Sequence, residues 1–232
     1  MAILVTSGRA ALAAALKARA IHFAWGRGEP WWNTTGEVTA PFAGSPQSIT
    51  LPHAPVAGVE VASSDGSIVY ASPADYTWDA LSGRITRVIT GSIPAGATVK
   101  VTATYGRPDP GSGATALLDE VGRRVANSVE HVVPDENGLL QTADGNRWTI
   151  SPVPTRHLYL SVLFEFAEAA DQVIREMGIF INTVRAPGLP AALPYLAPGD
   201  ILDPGTAFLI DRFAPIIRSP ATRQGFTFVV TL

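Results

Sequence analysis

The sequence predicts an α+β chain that is mainly β: a discontinuous domain over residues 1–45 and 108–232, carrying a small antiparallel β-sandwich, immunoglobulin-like, inserted over 46–107. Three observations predict it. Consecutive short runs of strand-forming residues, each ended by a turn, fill residues 50–105. Stretches rich in Pro, Gly, Ser and Thr flank that block at 29–47 and 107–113. Outside it, the chain opens on one helix and a strand and closes on strands that alternate apolar and polar side chains.

Taken in order, Thr6 or Ser7 can cap a helix over residues 8–18, because a side-chain oxygen there accepts from the first-turn amides and the alanines that follow favour helix. Leu12 and Leu16 lie one turn apart and mark its buried face. Ile21, Phe23 and Trp25 then alternate with His22 and Ala24, the pattern of a half-buried strand. Residues 29–47 show no period and read as a connector. Within the insertion, strands are expected near 56–61, 67–70, 75–78, 84–89 and 98–104, with turns at Asp65-Gly66, Ser82-Gly83 and Pro94-Ala95-Gly96.

After the second linker, residues 114–121 are compatible with a helix, Leu117, Leu118 and Val121 having helical spacing. A strand over 126–133 stops at Pro134. Turn clusters at 135–138 and 144–146 bracket a polar hairpin. The best strand pair is 158–166, with Leu158, Leu160, Val162, Phe164 and Phe166 on one face, returning as 172–181. In the return strand Val173, Arg175, Met177, Ile179 and Ile181 share one parity, so a single buried face has to enclose Arg175. The sequence leaves two resolutions: a bulge at Gly178, or an ion pair of Arg175 with Glu165 or Glu176. Residues 186–206 read as a long Pro- and Gly-rich loop, and strands at 207–217 and 225–232 close the chain.

Composition narrows the function classes. The 47% hydrophobic and 16% charged residues are richer in apolar groups than a solvated monomer requires, which points to partners covering part of the surface. With a net charge of −3 and basic residues scattered except for Arg123-Arg124, no footprint for nucleic acid is present. The absence of cysteine removes disulfides, thiolate nucleophiles and Cys-type zinc sites. No apolar run approaches the ~20 residues that span a bilayer, so membrane insertion is not expected. Arg9 and Lys17 interrupt the N-terminal apolar run, which reads as a helix and not as a cleaved leader.

Catalytic chemistry finds little to stand on. His22, His53, His131 and His157 lack the i, i+4 spacing of a helical metal pair. There is no G-x-S-x-G elbow. Asp75 and Asp79 would lie about 13 Å apart along a strand, beyond the roughly 5 to 9.5 Å of a glycosidase pair. Gly26-Arg27-Gly28 lacks the rest of a dinucleotide fingerprint. The reading is therefore no enzyme, no cofactor and no metal. Trp25, Trp31 and Trp32, three indoles in eight residues, are either core anchors or a subunit interface. Together with Arg175 they are the candidate interface residues.

Three segments carry a resemblance: TSGRAALAAALKARAIHFAWGRG at residues 6–28, LLDEVGRRVANSVEHVVPDENG at 117–138, and VIREMGIFI at 173–181. In this order they resemble the phage tail-collar fibre and baseplate protein family. The resemblance covers most of residues 1–30 and 114–232 but not the insertion, and it implies that the discontinuous domain attaches to a tail. From it follow expectations of a structural tail baseplate or tail-tip component, with other tail and baseplate proteins as partners in several symmetric copies. Its expected location is the virion tail, and the host cytoplasm during assembly. A host-surface glycan, with Tyr70, Tyr76 or Trp78 stacking on sugar rings, is the alternative partner.

Overall fold

The computed structural model describes residues 3–190 and 192–232. They form two compact units, residues 1–28 with 110–232 (unit 1) and Glu29–Asp109 (unit 2). Strand accounts for 47% of the residues and helix for 7%, so the chain is mainly β.

In chain order, α1 (Thr6–Lys17) and β1 (Ile21–Gly26) open unit 1. Unit 2 comprises β2 (Thr34–Pro41), β3 (Ser48–Thr50), β4 (Val56–Ser63), β5 (Val69–Tyr70), β6 (Tyr76–Asp79), β7 (Arg84–Arg87) and β8 (Thr98–Tyr105). Unit 1 resumes with β9 (Glu120–Val125), β10 (Ser128–Pro134), β11 (Leu140–Gln141), β12 (Arg147–Ile150), β13 (His157–Phe164) and β14 (Val173–Ile181). It ends with β15 (Val184–Arg185), β16 (Tyr195–Leu196), β17 (Ile201–Asp203), β18 (Thr206–Ile217) and β19 (Gln224–Thr231).

Unit 1 contains two five-stranded antiparallel sheets, ordered β16-β9-β1-β14-β18 and β11-β12-β10-β13-β19. One apolar cluster joins them: Phe23 and Trp25 of β1, Ile174, Met177 and Ile179 of β14, and Leu158, Leu160, Val162 and Phe164 of β13. The period-2 reading of 158–166 put five side chains on one face: the four within β13 are buried, whereas Phe166 lies beyond the end of the strand and is exposed. β1 is buried along its whole length. Its second face is covered too, Ala24 meeting Leu117 and Phe180 in a separate cluster. Cover on both faces, by β13 on one and by Leu117 and Phe180 on the other, makes this strand two-sided, which alternation alone does not reveal.

Several expectations are corrected. Thr6 and Ser7 lie inside α1, whose N-cap is Val5 without a side-chain cap. The helix turns Ala13 and Leu16 inward and leaves Leu12 exposed. Residues 114–119 are not helical. The amides of Leu118 and Asp119 donate to the Glu176 carboxylate at 2.7 and 3.2 Å, so tertiary bonds replace the i to i−4 ladder and override a weak propensity. The loop over 186–206 contains β16 and β17, and β16 extends a sheet by pairing with β9.

Unit 2 begins at Glu29 because the stretch read as a connector holds β2, paired along its length with β8 from Thr34 opposite Tyr105 to Pro41 opposite Thr98. Its sheets, β2-β8-β4-β5 and β3-β7-β6, share one core that includes Phe42, Val61, Tyr76, Ile85, Val99 and Val101. The first strand pairs the last. In the constant-type immunoglobulin arrangement the first strand pairs the second, so the strand order departs from it. The turns follow the sequence: Gly66, Gly83 and Gly96 have φ of 76°, 64° and 70°, where a side chain is strained.

Candidate assembly surfaces

β14 and the two stems that lead into and out of unit 2 form a polar knot in unit 1, exposed at Arg27 and Asp119 and buried at Glu176. The outgoing stem is held at Arg27, whose guanidinium donates to both oxygens of Asp119 at 2.6 and 3.1 Å and to Gln172 at 2.9 Å. Its backbone N–H donates to the Asp119 carbonyl at 2.9 Å. Arg175 donates to the Arg27 carbonyl at 3.1 Å. Glu176, wholly buried, accepts the two amides of the returning stem and faces Arg212 at 3.7 Å. Burial raises its carboxyl pKa, against the lowering by those amides and Arg212.

The parity conflict at Arg175 is resolved by a register break. Ile174 pairs Ile216 and Glu176 pairs Arg212, so Arg175 faces three residues of β18. The break changes the strand's phase, bringing Ile174 into the core with Met177 and Ile179. The break that accommodates Arg175 thus lies at Arg175 itself, a second one falls between Ile179 and Phe180, one residue past Gly178, and Arg175 binds a backbone carbonyl, neither Glu165 nor Glu176. Gly178 has a different reason: a Cβ there would stand 2.6 Å from Phe180 and 3.2 Å from Leu117.

A second knot fixes β9 to the excursion between β14 and β18. Arg123, wholly buried, donates twice to Glu120 at 2.7 Å and to Thr183 and the Pro204 carbonyl at 2.7 Å each. Its guanidinium lies 4.2 Å over the Phe180 ring. Arg124 pairs with Glu168. Buried arginine held by a bidentate carboxylate and carbonyls is a satisfied charge. These side chains hold the scaffold together and are not available at the surface.

Trp25 is wholly buried and stacks on Phe164 at 3.5 Å, with Arg218 5.1 Å over its ring. Trp32 is buried in unit 2. Trp31 is half-buried, stacked on His53 at 4.3 Å and edge-on to Trp32 and Tyr105. The three indoles therefore do not converge on one surface; Trp25 anchors one core, and Trp32 belongs to the other unit. Arg175 stays half-buried in the stem knot. Of the stacking residues considered for a sugar, Tyr70 and Tyr76 are core residues and Trp78 packs partly buried against that core, which removes two of the three. Among the described residues, no three His, Asp or Glu side chains gather as a metal site. No described helix is long and apolar enough to cross a membrane.

The surface features of unit 1 are apolar and lie elsewhere. The hairpin of β11 and β12, expected to be polar, exposes Leu139 (95%) and Ile150 (53%), and with Leu140 and Trp148 these line a hollow of ≈ 300 Å³. The Leu139-Leu140 doublet between two turn clusters was the available signal. Strands β18 and β19 are edges of their sheets. Phe213, Phe226 and Phe228 pack there only partly buried, beside a hollow of ≈ 540 Å³ that Gln141, Thr142 and Ala143 also line. Free edges and half-covered aromatics are what strand addition and aromatic burial use.

A family model described as "Baseplate wedge 3 tail fiber network component" matches residues 1–47 and 94–232. No curated protein matches the chain. The unmatched stretch, 48–93, lies inside unit 2, and its ends meet: Gln47 accepts the Gly96 amide at 3.4 Å through its side chain and the Arg87 amide at 3.0 Å through its carbonyl. The match includes β2 and β8, which pair directly.

Proposed function

The chain belongs to the family of baseplate wedge 3 tail fiber network components, and from that premise we propose that it works in the phage tail by binding neighbouring baseplate and tail fibre proteins, without catalysis. The observation that carries this reading is the family match across all of unit 1, the unit that exposes an apolar hairpin and two free sheet edges. The polar knots act as the frame: they fix the stems, the excursion and, through Glu176 and Arg212, the β18 edge at set positions, which lowers the entropy cost of association. Residues 48–93, outside the match, are the part in which this chain differs from the family pattern, and in this reading they select a neighbour particular to its own tail.

The test is genetic and structural. Phage lacking this chain are expected to yield tails with incomplete or fibreless baseplates by electron microscopy, and wild-type chain supplied in trans restores them. Normal baseplates and unchanged infectivity in the deletion would overturn the reading.

A further inference from the structure

Unit 1 carries two exposed apolar patches with opposite charge at their margins, and we propose that they bind each other between two copies of this chain. The first is the segment before α1 together with the outer face of that helix. The second is the β11–β12 hairpin. The inference rests on the assembly role above and gives one of its contacts a partner, a second copy.

The first patch exposes Ile3 (71%), Val5 (61%) and Leu12, with Val5 in extended conformation. No acidic residue occurs in the sequence before Glu29. Lys17 is neutralised by Glu130 at 2.7 Å, which leaves Arg9 and Arg19 as the excess charge around these apolar groups. The second patch centres on Leu139, Leu140, Trp148 and Ile150. Asp135, Glu136 and Asp144 flank it in sequence against Arg147 and Arg156, the latter bonded to His157 beside the Trp148 ring, an excess of negative charge opposite the positive one.

This pattern selects the pairing. Apolar centres with charged rims are how protein interfaces divide affinity from orientation. A helix-to-helix or hairpin-to-hairpin contact would set like charges against each other, which disfavours both. The contact therefore joins unlike patches, and it closes either reciprocally in a pair or head to tail in a ring.

Sedimentation velocity of the full chain over a concentration series tests it. The expected result is reversible self-association that weakens with added salt. Leu139→Glu is expected to weaken it about tenfold or more, and Arg19→Glu and Glu136→Arg about three- to tenfold each. Arg19→Glu and Glu136→Arg combined in one chain restore opposite charges and recover association. All three side chains are exposed, and circular dichroism checks that each variant keeps its β content. A monomer at every concentration, or a combined variant as weak as the single ones, overturns the proposal. If that occurs while the deletion phage still lacks complete baseplates, the assembly role stands and only the contact between copies is lost.

Discussion

His22 sits in β1 next to Arg123 and Arg185, and burial first, then those two cations, push its pKa down to about 4 from 6.5. A depressed folded-state value means that the stability is present above pH 6.5 and is lost as pH falls through about 4. At about 1.4 kcal/mol per unit, the fully developed loss is roughly 3 kcal/mol. His131 and His157 are lowered too, chiefly by burial, so the His22 share is read by difference. Urea midpoints between pH 7 and 4 are expected to fall less in His22→Leu than in the wild type; equal slopes would show that His22 is not the group. Glu176 runs the other way, since its raised value gives a contribution present at low pH and lost as pH rises through the folded value. Its replacement separates charge from hydrogen bonding. Glu176→Ala orphans the Leu118 and Asp119 amides and is expected to cost about 3 kcal/mol in denaturant unfolding, whereas Glu176→Gln keeps an acceptor and costs about 1 kcal/mol.

At the scale of elements, β14 does more than its length suggests. It pairs β1 and β18, carries the register break at Arg175, and binds both stems of the insertion. Gly178 lets Phe180 and Leu117 close over Ala24. Gly178→Val is expected to destabilise unit 1 by about 2 kcal/mol through overpacking, with faster amide exchange at residues 114–119 as the local signature. Unchanged exchange there would mean that the stem is held independently of this packing. The hairpin of β11 and β12 behaves oppositely. Leu139→Ser removes an exposed side chain and is expected to change stability by less than about 0.5 kcal/mol, so a loss of binding in that variant reports the surface and not the fold.

For the whole molecule, each unit has its own core. Ile85 is wholly buried in unit 2, and Trp25 and Phe164 stack in unit 1. Ile85→Ala is expected to cost about 3 kcal/mol and to lower the thermal transition of unit 2. Amide exchange in β1 and β13 is expected to stay at wild-type rates. Loss of protection in both units together would show that they unfold as one.

The sequence by itself determined the mainly β class, the turns at Gly66, Gly83 and Gly96, and the buried face of β13. Each of these is a local matter of backbone freedom or of period-2 patterning, which a linear reading can detect. The resemblance carried by VIREMGIFI and two other segments pointed to the family that the chain matches. Only the tertiary structure decided the rest. β2 has no clear apolar period because it is an edge strand with one weakly buried face, and its partner β8 lies some sixty residues away. Residues 114–119 are kept from forming a helix by a carboxylate far along the chain. Arg175 escapes the core through a register break that depends on the opposing strand. Trp25 and Trp32, seven residues apart, belong to different cores. In each case the deciding atom is distant in sequence, so spacing along the chain holds no record of it.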